Sequence, residues 1–298
     1  MRVIYKKLKI KDCGLINWFL RQKTSNIDSR SLQIVEIQQA HKILFSLFTR
    51  YGDTIINITV IQEFVEHYPD KEYLILSPRQ MYPYVKELLP KARCLSLNKR
   101  NLFDMIRVHR LLKKWNPEIG FNPWSNGLDS CYFLTYCKRF QCYKDYLRPE
   151  FINHYEVVRN YLLLPEKIWK VNQLNLKKDY KKILICPQST DLNRSIPSVQ
   201  LDALLSDLKD KYQNPEITIA SMDRLYYRSK YSQFVFKKTA QSSWQFIDLV
   251  KKSGLIITAD SGPLHISLAF KKDTQAYFYS TNPKRVVKSG SILDIVMN

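Results

Sequence analysis

Short apolar runs alternate with amphipathic stretches along most of the chain. The run from Ile43 to Phe48 predicts a buried strand, and apolar residues at helical spacing between Thr54 and His67 predict a helix. The same patterns predict strands at 73–76, 93–97 and 119–121, with helices at 81–89 and 102–115. Strands and helices that alternate in this way are typical of parallel βαβ units with helices on both faces of a sheet.

The alternation resumes after residue 181. It predicts strands at 183–186, 217–220, 234–236, 255–258 and 276–279, and helices at 199–212, 244–252 and 264–270. Between 123 and 181 the pattern is irregular, and we place a domain boundary there. We therefore expect a basic extension over 1–40 and two Rossmann-like, doubly wound parallel-sheet domains over 41–165 and 166–298. Ligands of such domains bind at the carboxyl ends of the strands.

The composition narrows the classes of partner. Of 298 residues, 47 are Lys or Arg and 27 are Asp or Glu, which gives a net charge of +20 and favours anionic partners. With 7 glycines, the chain has little material for a glycine-rich phosphate loop. Six cysteines without a CxxC pair indicate free thiols in a reducing compartment rather than a zinc site. No apolar run approaches the roughly 20 residues that span a bilayer.

An acidic residue follows the first predicted strand. Asp53 lies where the strand at 43–48 gives way to a helix, at the edge of the sheet where ligands bind. An ionised carboxylate at this place can act as a general base towards a hydroxyl, and the helix dipole favours the ionised form. The ordinary alternative is that Asp53 only caps the helix.

Two polar segments follow predicted strands in the second half. The strand at 255–258 leads into the run Asp260 to His265, where Gly262 frees the backbone and Pro263 suits the first helical position. The amides at the start of such a helix bind phosphate. The alternative is a capped helix with Asp260 as a turn residue and His265 buried.

The other segment is the loop 187–197, which follows the strand at 183–186. Its Ser189, Thr190 and Arg194 offer two hydroxyls and a guanidinium to a diphosphate. A solvated surface loop is the alternative.

These segments resemble the bacterial ADP-heptose:lipopolysaccharide heptosyltransferase family, glycosyltransferase family 9. The resemblance covers residues 41 to 285, and its most specific part is Asp-Ser-Gly-Pro-Leu-His at 260–265 after a hydrophobic strand. It implies a GT-B fold, in which two Rossmann-like domains face a cleft. The first domain would bind the acceptor and the second a nucleotide sugar such as ADP-heptose. Transfer would be inverting, without a metal or another cofactor.

The resemblance also implies roles for individual residues. Asp53 falls on the family's base, and Arg194 falls where the family has a phosphate-binding lysine. Asp223 is a possible ribose contact. The donor-binding residues that the resemblance implies are Ser189, Thr190, Arg194, Asp260, Ser261, Gly262 and His265.

The expected partners follow from the resemblance and the charge. An anionic glycolipid acceptor, such as a lipopolysaccharide core, would bring the protein to the cytoplasmic face of the inner membrane. The segment 1–30, with a net charge of +6 and Trp18, Phe19 and Leu20, would lie on that surface or form a solvated extension. No nucleic acid is expected, although 19 tyrosines among many cations keep a nucleic-acid-binding protein as the alternative. Another is a GT-B protein that binds sugar nucleotide without turnover.

Overall fold

The computed structural model describes residues 31–98, 101–125, 128–143, 153–168, 170–174, 176, 180–213, 215–220 and 242–297. Asp223, the segment 1–30 and the strand predicted at 234–236 lie outside these residues. The described chain divides into two compact units. The first contains residues 31–57, 61–143 and 158–164, and the second contains residues 58–60, 153–157 and 165–297.

The first unit is built on a parallel sheet of five strands in the order β3-β2-β1-β4-β5. Its strands are β1 (Lys42–Ser46), β2 (Glu72–Pro78), β3 (Arg93–Leu97), β4 (Ile119–Phe121) and β5 (Arg139–Gln141). The helices along this part of the chain are α1 (Ile34–Gln39), α2 (Tyr51–His67), α3 (Tyr82–Leu88), α4 (Leu102–Trp115) and α5 (Leu128–Leu134). Helix α6 (His154–Tyr161) contributes residues to both units.

Strand β1 is the centre of this sheet. Its Ile43 pairs with Tyr73 of β2 on one side and with Ile119 of β4 on the other. Side chains on both faces of β1 are buried, which explains why its sequence is an unbroken apolar run. The Phe45 ring stacks on Phe121 at 5.7 Å between ring centroids, so the aromatic core also crosses from β1 to β4.

The second unit is built on a parallel sheet that has six strands among the described residues, in the order β6-β11-β10-β9-β7-β8. They are β6 (Asn172–Gln173), β7 (Lys182–Cys186), β8 (Glu216–Ile219), β9 (Leu255–Ala259), β10 (Asp273–Phe278) and β11 (Ile292–Met297). The helices are α7 (Ser198–Lys211), α8 (Ser243–Lys252), α9 (Gly262–Ala269) and α10 (Pro283–Val286). None of the helices described in either unit is long and apolar enough to cross a membrane.

Strands β7 and β9 lie side by side at the switch point of this second sheet. Cys186, the last residue of β7, pairs with Thr258 near the end of β9. The chain winds to β8 on one side of β7 and to β9 on the other, so the loops after β7 and β9 leave the sheet next to each other. These are the two loops that carry most of the predicted donor-binding residues.

The two all-parallel sheets confirm the predicted α/β class with Rossmann-like sheets. Strand β3, helix α4 and strand β4 have the predicted bounds. Between 123 and 181, where the sequence pattern is irregular, the structure has α5, β5, α6 and β6. Strands β5 and β6 have 3 and 2 residues, too few to produce a sequence period, and they form by pairing with β4 and β11.

Close packing around Gly120 allows the core packing of the first unit to be tested. A Cβ at this position of β4 would lie 2.5 Å from Cys137 Sγ and 2.9 Å from Leu134 Cδ2. We expect Gly120→Ala to lower the free energy of unfolding by about 1–3 kcal/mol through overpacking. In a Cys137→Ala background the same change should cost less, because the nearest atom is gone. The free energies of unfolding are to be measured with urea. An equal loss from Gly120→Ala in the wild-type and Cys137→Ala backgrounds would contradict this packing.

Candidate functional site

The loop after β7 and the turn after β9 meet through an ion pair. Arg194 ends a short 3₁₀ helix (Leu192–Arg194), which Asp191 caps by accepting a hydrogen bond from the Asn193 N–H at 3.1 Å. Arg194 Nη1 lies 3.5 Å from Asp260 Oδ2, and its Nε lies 3.6 Å from Asp191 Oδ2. The structure thus brings together Arg194 and Asp260, which are 66 positions apart in the sequence.

Each partner of this ion pair has a buried polar atom that has no hydrogen-bond partner among the described residues. Asp260 is only 2% exposed, and its Oδ2 has no hydrogen-bond partner among the described residues. The same holds for the buried Nε of Arg194. A buried polar atom without a hydrogen bond costs about 1–3 kcal/mol, so folded proteins seldom keep one without a reason such as a ligand.

Helix α9 begins beside Asp260. Its N-cap is Ser261, whose hydroxyl donates to the Ala259 carbonyl at 3.3 Å and does not cap the helix. Pro263 has no N–H, and the Leu264 N–H donates to the Ser261 carbonyl at 3.0 Å. The first turn therefore presents the Gly262 N–H and the positive end of the helix dipole without a capping side chain. Gly262 is the first helical residue, and Gly290 is the one described glycine in the left-handed region. The structure thus places Gly262 at the first helical position, where Pro263 was expected, and Pro263 follows it.

His265 lies in the first turn of α9 and is 7% exposed. Its Nδ1 shares a hydrogen bond of 2.9 Å with the Tyr155 hydroxyl of α6. Burial lowers the pKa of His265 to about 4; the charge of Asp260 opposes this shift, and His154 and Arg194 add to it. The imidazole is therefore neutral at pH 7. It supports the turn as a hydrogen-bonding group, and its burial agrees with the ordinary alternative for this residue.

The two hydroxyl residues of the β7 loop differ in position. Ser189 is buried, its N–H donates to Ser195 Oγ at 3.0 Å, and its own Oγ accepts from the Asp191 N–H at 3.5 Å. Ser189 thus holds the loop in shape. Thr190 is exposed at the surface of the loop. The structure therefore places Thr190, and not Ser189, where a solvent-borne ligand can reach the hydroxyl.

Asp53 belongs to the first unit. Helix α2 begins at Tyr51 with Arg50 as its N-cap, so Asp53 is a first-turn residue and the alternative that it caps the helix was wrong. Burial raises the pKa of the Asp53 carboxyl, and the charge of Arg50 acts in the opposite direction. The net direction is thus opposite to the one expected from the helix dipole. A carboxylate with a raised pKa is a better proton acceptor wherever it remains ionised.

Sequence reasoning missed a cavity of about 630 Å³ at the carboxyl edge of the first sheet. Its lining combines apolar and polar side chains, with one guanidinium among them. The Arg79 Nη2 group donates to Asp104 Oδ2 at 2.9 Å, which fixes that guanidinium. The lining residues lie at or just after the ends of β1, β2 and β3, and they are Phe48, Thr49, Pro78, Arg79, Gln80, Leu97 and Asn98.

Within the described residues, no group of three or more His, Cys, Asp and Glu side chains has a geometry that could hold a metal ion.

Neither a protein-family model nor a curated protein matches this sequence. Solved structures do match its fold. The ADP-heptose lipopolysaccharide heptosyltransferase II of E. coli has a TM-score of 0.65 at 14% identity, over 86% of this chain and 90% of that one. The E. coli heptosyltransferase WaaC with ADP has a TM-score of 0.60 at 9% identity, over 86% and 92%.

A glycosyl transferase family 9 protein from Veillonella parvula gives a similar result, with a TM-score of 0.66 at 13% identity over 87% of this chain and 86% of that one. These likenesses confirm that the chain has the fold of the family that its motifs resemble. At these identities they establish the fold alone.

The lowered pKa of His265 predicts a pH dependence of stability. Because the folded-state pKa is about 4 and the unfolded-state value is about 6.5, the unfolded chain binds the extra proton between these values. The stabilisation is complete above pH ~6.5 and is lost as the pH falls towards ~4. In the variant His265→Asn, the slope of unfolding free energy against pH in this window should be smaller by up to about 1.4 kcal/mol per pH unit. Equal slopes in calorimetry would contradict a buried neutral imidazole.

Proposed function

We propose that this protein is a glycosyltransferase that moves a sugar from a nucleoside diphosphate sugar to a hydroxyl of a glycan acceptor. ADP-heptose or a related donor and a lipopolysaccharide core acceptor are the substrates that we favour. The observation that carries the proposal is the pairing of Arg194 with the buried Asp260 beside the uncapped start of α9. The match of the fold to heptosyltransferases supports it.

The donor would bind at the carboxyl edge of the second sheet. A diphosphate carries negative charge that one guanidinium can meet with two parallel hydrogen bonds, and the start of α9 adds the Gly262 N–H and the positive end of the helix dipole. Asp260 would hold the guanidinium in place through the 3.5 Å contact. Its remaining hydrogen-bonding capacity suits a sugar or ribose hydroxyl better than a phosphate, because like charges repel.

The acceptor would bind to the first unit, where Asp53 would accept the proton of the attacking hydroxyl. That oxygen forms a bond to the anomeric carbon while the bond from this carbon to the diphosphate oxygen breaks. A single displacement of this kind inverts the anomeric configuration. Negative charge grows on the leaving diphosphate, and Arg194 with the first turn of α9 would stabilise it in the transition state. In the mechanism that we propose, this step proceeds without a metal ion.

The net charge of +20 supports an anionic acceptor at a membrane surface. We propose that the protein works at the cytoplasmic face of the inner membrane, where nucleotide sugar and glycolipid acceptor meet.

The role of Asp53 can be tested with Asp53→Asn. We expect kcat to fall at least about 100-fold with an unchanged affinity for ADP, because the general base is lost. ADP release with ADP-heptose and a delipidated lipopolysaccharide core would measure it. Glu66→Gln, an exposed carboxylate of the same helix, is the matched control. Normal turnover by Asp53→Asn would remove Asp53 from the mechanism, whereas ADP binding without turnover by the wild type would favour a protein that only binds sugar nucleotide.

The role of Arg194 can be tested by calorimetry with ADP and adenosine. Arg194→Ala should weaken ADP binding about 10- to 100-fold, as expected for a charged hydrogen bond, and leave adenosine binding unchanged. Arg194→Lys should keep part of the ADP affinity because it retains the charge. Lys271→Ala changes an exposed cation of the same unit and is the control. Equal losses for both ligands would show that Arg194 does not act on the phosphates.

A further inference from the structure

The outer face of helix α4 carries exposed apolar side chains followed by cations. Phe103 is 82% exposed and Ile106 is 39% exposed, and the two lie three residues apart on the same side of the helix. Towards the carboxyl end of the helix the same face presents four exposed basic side chains. Spacing by three and four residues puts all six on one face of about 120°, and the basic ones are Arg107, Arg110, Lys113 and Lys114.

This face has an uncompensated positive charge. The acidic residue of α4, Asp104, is buried on the other side of the helix, where Val108 and Leu112 face the core. Arg107 is partly neutralised by Asp104 at 3.3 Å. In the described part of the chain, no carboxylate forms an ion pair with Arg110 or with the two lysines.

We propose that the outer face of α4 binds the anionic lipid surface of a membrane. Phenylalanine and isoleucine side chains enter the boundary between headgroups and acyl chains, and lysine and arginine side chains bind the phosphates above it. The exposed apolar side chains and the positive charge together indicate a lipid surface as the partner. A nucleic acid would use the cations but would leave the exposed Phe103 and Ile106 without a function.

The buried side of the same helix links this face to the cavity in the first unit. Asp104 accepts hydrogen bonds from the Arg79 guanidinium at 2.9 Å and from the Asn98 N–H at 2.8 Å, and both residues line the cavity. One carboxylate therefore fixes two walls of the cavity to the start of α4. A glycan attached to a lipid would reach the cavity from a membrane bound at this face. This link, but not the lipid binding itself, rests on the proposed function.

The test is cosedimentation of the full chain with vesicles of phosphatidylglycerol and phosphatidylcholine, compared with vesicles of phosphatidylcholine alone. The double variant Phe103→Ser/Ile106→Ser should bind the anionic vesicles at least about tenfold more weakly than the wild type. The double variant Arg110→Glu/Lys113→Glu should show a similar loss. Neither should bind ADP less well, because the changes are exposed and lie in the first unit.

The matched control is Val199→Ser/Trp244→Ser, which removes two exposed apolar side chains of the second unit. It should bind the anionic vesicles like the wild type. Wild-type affinity in both α4 variants would overturn the proposal and return membrane binding to other parts of the chain, such as the segment 1–30. Loss of vesicle binding only in the charge variant, in parallel with loss of binding to duplex DNA, would also overturn it and indicate a general polyanion surface.

The outcome is separate from that of the proposed function. A protein that binds vesicles through α4 but does not bind ADP contradicts the glycosyltransferase and leaves the lipid surface intact. If both α4 variants turn over a delipidated acceptor normally but lose vesicle binding, the result supports both the proposed function and the lipid-binding face.

Discussion

The candidate donor site depends on the parallel pairing of β7 with β9. These strands are distant in sequence, yet Ile183 pairs with Leu255 and Cys186 with Thr258. Because side chains alternate along a strand, a shift of one residue in this register would exchange the faces of β9. The register carries Asp260 to the sheet edge where the β7 loop delivers Arg194. The contact between them is thus a consequence of sheet topology and not of any local motif.

Burial determines whether the contact between Arg194 and Asp260 serves stability or binding. Removing a carboxylate from water costs several kcal/mol, which one ion pair seldom recovers in full. Asp260 and Arg194 nevertheless retain polar atoms without hydrogen bonds in the described chain. Such an arrangement contributes little to stability alone. It is better suited to binding, because a ligand that satisfies these atoms gains the interaction without first breaking another one.

Sequence reasoning recovered the elements whose signals are local. Helix α4 has its predicted start because Asn101 caps it, accepting from the Phe103 N–H at 2.9 Å, and the expected sheets follow from the apolar runs. Sequence reasoning failed where the sequence signal is short or where a feature depends on the three-dimensional arrangement of distant residues. A helix start three residues earlier changed Asp53 from a possible cap to a first-turn residue. The cavity has no motif, since its lining comes from three separate strand ends that only the sheet order brings together.

Desolvation shifts the pKa of Asp53 and the pKa of His265 in opposite directions. It raises the pKa of Asp53, which makes the carboxylate more basic, and it lowers that of His265, which keeps the imidazole uncharged. A protonated His265 would repel Arg194 and compete with it for Asp260. With His265 neutral, the guanidinium would be the cation that meets a diphosphate at the proposed donor site beside α9. In the proposed mechanism, the same physical cause, burial, would thus serve a proton acceptor in the first unit and a fixed positive charge in the second.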